Sequence, residues 1–150
     1  MIKLKDIETA VAERLKSAEH TVTAAEVVEG FDKPTFFIDI FQNSATLENQ
    51  FMELVNVGVE LRYFPATETR EALVIMADEL RELLMATPLT VVDRFLSVLE
   101  VLFETDNAAL LCYFELEFMR EPAAAVKEYK KMQNLQIGVK TNYGTSSGSN

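Results

Sequence analysis

The sequence contains little of what most catalytic or metal-binding sites require. Its 150 residues include one cysteine, one histidine and no tryptophan. The single cysteine, Cys112, excludes an internal disulfide and is typical of proteins from a reducing compartment. The single histidine, His20, cannot form a typical zinc site without a second histidine or a cysteine nearby. The phosphate-loop patterns GxGxxG and GxxxxGK do not occur either, so neither nucleotide-binding motif is available.

Long apolar runs are also missing. No segment approaches the ~20 apolar residues that a membrane-spanning helix needs. The first six residues turn charged at Lys3 instead of forming an apolar signal core, so no secretory leader is expected. Hydrophobic residues nevertheless make up 49% of the chain and include ten phenylalanines, which is too rich for disorder. The length favours one domain with a sizeable core.

The charge is distributed unevenly along the chain, whose formal net charge is −10. Residues 1–119 hold nine basic against 22 acidic residues (−13), whereas residues 120–150 hold five against two (+3). An acidic body argues against general nucleic-acid binding, which needs a basic face that displaces counterions. Two interpretations stay open: a solvated acidic surface with a loose tail, or a basic tail that docks on a neighbouring copy.

Two segments have the residue spacing of amphipathic helices. Residues 4–18 carry apolar side chains three and four positions apart, with charged residues between them. A second helix can be capped by Thr67 or Thr69 and is terminated by Pro88. The apolar stripes predicted for the two helices are Leu4, Ile7, Val11 and Leu15, and then Leu73, Met76, Leu80, Leu83 and Leu84.

The chain between the two helices is predicted to form strands. Residues 21–28 are β-prone and precede the break at residues 30–34, so we expect a first strand there. Residues 35–41 alternate, and a polar turn is expected at residues 42–44. Residues 46–64 are predicted as a third, long strand that Pro65 ends. Its clearest apolar face consists of Val55, Val57, Val59, Leu61 and Tyr63.

Residues 89–104 fit both a helical and an alternating pattern. The turn residues at 105–107, followed by strict alternation over residues 110–118, decide for a hairpin of two strands. The expected fold is therefore α+β, with a mixed or antiparallel sheet of four to five strands packed by two helices. Residues 1–121 are expected to form this domain. Residues 122–150 are expected to form an extended C-terminal arm with a short basic helix, a brief strand and a polar tail.

The residues that could carry chemistry all have simpler explanations. Cys112 lies on the apolar face of a predicted strand, where a buried, inert thiol is expected. Glu115 and Glu117 could resemble a carboxylate pair, but a glycosidase also needs a substrate cleft, and a solvated strand face is preferred. His20 is expected to be a satisfied surface or capping residue. Because no set of catalytic roles can be assembled, the sequence indicates no enzyme, no cofactor and no metal site.

The order of these elements resembles the family of short phage tail terminator proteins found in Gram-positive phages and phage-tail-like particles. The resemblance covers about residues 1–135. It rests on the first helix with Ile7 and Leu15, the block Gly30-Phe31-x-x-Pro34-x-Phe36-Phe37, the strand end Tyr63-Phe64-Pro65, the helix with Ala77 and Leu80, the strand at residues 110–118 and the exit Arg120-Glu121.

The resemblance implies a structural protein without catalysis or a cofactor. It implies a homo-oligomeric ring, expected to be a hexamer, that caps the head-proximal end of the tail tube and stops polymerisation. Its implied partners are the tube protein, the sheath protein of a contractile tail, and a head connector or collar protein. DNA would only pass through the lumen, and no membrane is involved. The implied location is the virion or phage-tail-like particle, assembled in the bacterial cytoplasm.

We hypothesise that two groups of residues form the contacts of such an assembly. Aromatic and basic side chains of the body would lie at a subunit or tube interface, and the basic part of the arm would clamp an adjacent subunit or the tube. These residues are Phe31, Phe37, Phe41 and Arg62 in the body, and Lys127, Lys130 and Lys131 in the arm. Two other functions stay open: another head–tail connector or completion protein, and a small cytoplasmic ligand-binding domain.

Overall fold

The computed structural model describes residues 2–24, 26–27 and 29–122. Two helices and six strands are present, and the four longer strands form an antiparallel sheet in the order β1-β2-β6-β5. The two short strands form a separate hairpin, β3-β4. In chain order the elements are α1 (Leu4–Ser17), β1 (Thr35–Asn49), β2 (Met52–Phe64), α2 (Arg70–Met85), β3 (Leu89–Val91), β4 (Arg94–Leu96), β5 (Val101–Asp106) and β6 (Ala109–Arg120). The predicted α+β class is confirmed. The expected C-terminal helix and strand lie outside the described residues.

The chain divides into two compact parts. The larger one comprises residues 1–45 and 55–118. The smaller one contains residues 46–54, the tip of the β1–β2 hairpin, and the chain from Met119 onward. Within this smaller part, the Asn49 side chain accepts backbone hydrogen bonds from Phe51 (2.8 Å) and Met52 (3.0 Å) and so closes the turn. Arg120 donates to the Glu53 carboxylate at 3.2 Å.

The core of the larger part forms on one face of the sheet. In β2, the residues from Val55 to Tyr63 alternate between fully buried and partly exposed positions, apart from the small Gly58. Strand β6 repeats this alternation from Leu110 to Phe118. Because successive side chains of a strand point to opposite faces, one face collects the apolar residues of both central strands. The helices bury their stripes in the same cluster, through Ile7, Val11, Leu15, Leu73, Met76, Leu80 and Leu84.

Both predicted helices are confirmed, and each has a capping interaction at its start. The backbone N–H of Lys3 donates to the Asp6 carboxylate at 2.8 Å. Thr69, rather than Thr67, caps α2, because its hydroxyl accepts from the Ala72 N–H at 3.2 Å. Side-chain caps of this kind satisfy amides that the first turn of a helix leaves without partners.

Arg14 joins α1 to the end of α2. Its guanidinium donates to the carbonyl oxygens of Leu83 (2.8 Å), Thr87 (3.2 Å) and Pro88 (2.8 Å). The last turn of α2 contains no basic residue of its own. Arg14 therefore supplies both the donors and the positive charge that a helix C-terminus lacks.

His20 joins the chain after α1 to the middle of α2. Its Nε2 lies 2.6 Å from the Glu79 carboxylate, and its ring contacts Phe36 edge-on with the ring centroids 5.1 Å apart. The sole histidine is therefore a satisfied structural residue.

Three strand predictions are wrong in detail. Of the predicted strand at residues 21–28, the described residues 21–24, 26 and 27 form no strand; Val22 makes only an isolated parallel bridge to Phe36. The expected turn at residues 42–44 lies inside β1, which continues to Asn49 because β2 pairs with it. The long strand predicted over residues 46–64 therefore begins only at Met52. Residues 89–104 contain β3, a turn at Val92 and Asp93, β4 and most of β5, instead of the one strand predicted there.

The hairpin predicted around residues 105–107 is present. Asp106 pairs with Ala109, so Asn107 and Ala108 form the loop. Asn107 has a φ of 57°, a conformation that asparagine tolerates better than most residues.

Arg14→Met should lower the free energy of unfolding by roughly 1–3 kcal/mol, because three carbonyls lose a charged donor while the aliphatic stem is kept. Arg81→Met is the matched control, since Arg81 makes only an exposed pair with Asp78 at 3.4 Å. Urea unfolding followed by circular dichroism gives both values. Equal stability of the two variants would contradict the role given to Arg14.

Candidate functional site

The sheet face opposite the core carries the candidate site. We call it the open face, because the helices bury their apolar stripes in the cluster on the other side. The alternation that directs Val57 and Cys112 into the core directs their neighbours outward. The open face consists of Phe37, Asp39, Phe41 and Asn43 of β1; Asn56, Gly58, Glu60, Arg62 and Phe64 of β2; Tyr113, Glu115 and Glu117 of β6; and Leu102 of β5.

Three phenylalanine rings lie together at one end of the open face. Ring centroids are 4.9 Å apart for Phe31 and Phe37, 5.1 Å for Phe31 and Phe64, and 5.6 Å for Phe37 and Phe64. A shallow groove of about 450 Å³ runs beside them and is also lined by Glu60 and Arg62. We call this the aromatic groove. Arg62 lies 4.0 Å from the Glu60 carboxylate, so the groove combines apolar and charged side chains.

The middle of the open face depends on a glycine. The Phe41 ring stacks on Tyr113 with centroids 6.1 Å apart, and it passes directly over Gly58. A Cβ atom at position 58 would lie 2.6 Å from the Phe41 ring and 2.9 Å from the Tyr113 hydroxyl. Gly58 thus allows Phe41 to lie against the sheet, although the ring remains 39% exposed.

A polar network occupies the next part of the open face. The Asn43 amide donates to Asn56 Oδ1 (2.7 Å) and to the Tyr113 hydroxyl (3.0 Å). Asn56 in turn donates to Glu115 and Glu117, both at 3.2 Å. Tyr113 donates to Glu115 at 3.0 Å. Partial burial raises the pKa of Tyr113, and the Glu115 carboxylate raises it further against the opposing effect of Asn43, so the phenol remains a donor at neutral pH.

The carboxylates of Glu115 and Glu117 line a second groove of about 500 Å³, which we call the acidic groove. Its apolar wall is formed by Leu99 and Leu102, which are 82% and 53% exposed. Its other lining residues are Asn56, Ser97, Glu100, Tyr113, Phe114, Glu115 and Glu117. The groove therefore places acidic and apolar surface side by side.

The described residues contain no group of three or more His, Cys, Asp or Glu side chains placed to hold a metal ion. Cys112 is fully buried, and burial raises its pKa to about 12. A thiol needs to be ionised to act as a nucleophile, so Cys112 is an inert core residue.

The structure brings most of the hypothesised interface residues to one face. Phe31, Phe37 and Arg62 line the aromatic groove, and Phe41 lies further along the open face. Lys127, Lys130 and Lys131 lie outside the described residues. The sequence does not predict the acidic groove, because alternation alone places Glu115 and Glu117 on a solvated strand face. The sequence shows the alternation that places both carboxylates on the same face as Tyr113. The apolar wall of Leu99 and Leu102, however, depends on the register in which β5 pairs with β6.

The sequence matches the phage tail terminator protein family over residues 6–128, which is most of the chain. The chain therefore belongs to the phage tail terminator family. Its role is a structural one in a phage tail, as a virion component that interacts with other tail components. A comparison with curated proteins gives no match. Within the described part of the chain, no helix has the length and apolarity to cross a membrane.

The native Cys112 thiol should react with a maleimide or with Ellman's reagent far more slowly than an unfolded thiol at pH 8. A pKa of about 12 instead of 9.0 lowers the thiolate fraction at this pH roughly a thousandfold. The same protein in guanidinium chloride is the reference, and a Leu99→Cys variant gives an exposed thiol on the folded chain. Rapid labelling of the native wild type would contradict the burial of Cys112.

Proposed function

We propose that this protein caps the head-proximal end of a phage or phage-tail-like tube as a ring of identical copies, expected to be a hexamer. The ring stops polymerisation of the tube and offers a docking surface to a head connector or collar. In a contractile tail it also contacts the sheath protein. Assembly takes place in the bacterial cytoplasm. The observation that carries the proposal is the open face: an aromatic and acidic sheet surface that neither helix of the described residues covers, in a chain of the tail terminator family.

The two sheet edges supply contacts for closing a ring. The strand order leaves β1 and β5 at opposite edges of the sheet. On β1, Phe36 exchanges two backbone hydrogen bonds of 2.8 Å with Thr21 and Thr23, which cover the start of its outer edge. No strand of the described chain covers the rest of that edge. Two different edges on one subunit favour heterologous contacts, and these close into a ring when the rotation between copies is right.

Exposed apolar residues support the same proposal. Phe41, Leu99 and Leu102 are 39%, 82% and 53% exposed, and they belong to the open face or border it. Scattered apolar exposure is normal, but contiguous apolar surface on one face marks an interaction site. A subunit interface with an aromatic centre would bury this surface.

The acidic body suits a ring around a DNA channel. Residues 1–119 carry a net charge of −13. Like charge on the lumen wall repels phosphates, so DNA passes without binding. The proposal therefore needs no nucleic-acid site.

The first test is the mass of the purified protein by light scattering, alone and with its tube protein. A hexamer, or a monomer that forms rings only on tube ends, is the expected result. Electron microscopy of the tubes should find the protein at one end and tube length limited. A stable monomer indifferent to tubes would contradict the proposal, and binding elsewhere along the particle would indicate a different connector.

Phe41→Asp should prevent ring formation while leaving the domain folded, because Phe41 is exposed on the open face and an added carboxylate opposes its burial in an interface. Ile75→Asp is the matched control, since Ile75 is 58% exposed on α2, away from the open face. Thermal unfolding checks both folds, and light scattering checks assembly. If the Phe41→Asp variant still formed rings, the open face could not be the subunit interface.

A further inference from the structure

We propose that the acidic groove binds the basic segment at residues 127–132 of a neighbouring copy. The inference rests on the proposed function, in that it requires identical copies to lie side by side. It adds the contact that holds the C-terminal arm. The occupant is a segment present in every subunit, so each groove of a closed ring receives one arm.

The acidic groove has the chemistry to bind a lysine-rich segment. Asn56 donates to Glu115 and Glu117 at 3.2 Å each and so keeps two carboxylates at the same end of the groove. Tyr113 fixes the second oxygen of Glu115 with a hydrogen bond of 3.0 Å. An ammonium group brought to these carboxylates would form charge-assisted hydrogen bonds without reorganising them. The carboxylates are thus oriented before any cation arrives.

The charges of the groove have no counterpart in the described chain. The lysine and arginine ion pairs of the described residues involve Glu8, Glu53, Glu60, Glu68 and Asp78. None of them involves Glu100, Glu115 or Glu117, and the lining of the groove contains no lysine or arginine. Adjacent like charges repel one another, so a cationic occupant relieves repulsion as well as adding attraction.

The apolar wall of the groove selects for a particular kind of cationic segment. Leu99 and Leu102 present aliphatic surface beside the carboxylates. The segment Lys127-Glu128-Tyr129-Lys130-Lys131-Met132 contains three lysines and two large apolar residues within six positions. Lysine stems, Tyr129 and Met132 can cover the leucines while the ammonium groups reach the acids. A purely electrostatic partner would leave the leucines exposed.

The length of chain beyond the described residues allows this contact. Twenty-eight residues follow Pro122, and the five positions from there to Lys127 can span about 17 Å when extended. The net charge of +3 in residues 120–150 is opposite in sign to the −13 of residues 1–119, so the segment and the body of a neighbouring copy attract each other. A neighbouring groove within that distance is therefore in reach of the lysines.

Cross-linking identifies the occupant directly. A variant with Ser97→Cys in the groove and Gln133→Cys next to the segment is treated with a short bismaleimide under conditions where light scattering records the assembly. We expect covalent dimers and a ladder up to the size of the ring. Mixing two single-cysteine proteins, one of them tagged, should give cross-links between them. Ile75→Cys with Gln133→Cys is the control pair and should give at least tenfold less product; native Cys112 is buried.

Charge exchange tests the chemistry of the contact. Glu115→Lys with Glu117→Lys should weaken association at least tenfold and remove the cross-link, and adding Lys127→Glu, Lys130→Glu and Lys131→Glu should restore both. Glu71→Lys with Glu82→Lys on the exposed side of α2 is the matched control and should have no such effect. The cross-link yield should fall as salt rises, because the contact is electrostatic.

The outcomes separate this inference from the proposed function. Assembled rings without the cross-link, or with cross-links only within one chain, overturn the inference and leave the ring intact. Cross-links from Ser97→Cys to the tube protein instead of Gln133→Cys also overturn it. A protein that never assembles, alone or on tubes, contradicts the proposed function and the inference together.

Discussion

The alternation of side chains in β2 and β6 is the constraint on which the rest of the structure depends. These strands lie at the centre of the sheet, and each directs every second residue into the core, from Val55 to Tyr63 and from Leu110 to Phe118. The apolar side chains of both central strands therefore lie on one face of the sheet, and the two helices pack against that face. The other face is left with Asn, Glu, Tyr and Phe side chains, and it is the surface that we propose for assembly.

A few polar contacts hold the helices in place on the core face. Arg14 reaches three carbonyls at the end of α2, and His20 reaches Glu79 in the middle of it. The contact between Arg14 and the Leu83 carbonyl is partly buried, and a buried carbonyl left without a donor would lower stability. Because these contacts lie on the opposite side of the sheet, changes on the open face need not disturb them. Substitutions on the open face are therefore expected to change the proposed assembly without lowering the stability of the fold.

The parts of the fold that the sequence predicted well are those where one periodicity governs a long segment. Helical spacing repeats several times in α1 and α2, and alternation repeats several times over residues 55–63 and 110–118. A repeated period distinguishes helix from strand more clearly than a single match does. Prediction failed where pairing decides. Residues 42–44 are typical of a turn, yet they stay in β1 because β1 pairs with β2. The turn forms further along the chain, where the Asn49 side chain accepts hydrogen bonds from two backbone amides. The candidate site was predicted only in part. Alternation places Phe37 and Phe41 of β1 and Arg62 of β2 on one face, whereas Phe31 lies before β1 and the acidic groove requires the pairing of β5.

Acidity also bears on the two sheet edges, β1 and β5, which no strand of the described residues covers along their whole length. Unpaired edges promote aggregation unless charge, bulges or covering segments oppose it. Here Glu104 and Asp106 lie on β5, and Asp39 and Glu48 lie on β1, so two edges brought together meet with like charge. Association then needs a compensating cation or an apolar gain large enough to exceed the repulsion. The excess of basic residues lies beyond residue 119. In the contact that we propose, joining would therefore depend on where this segment binds and not on edge contact alone.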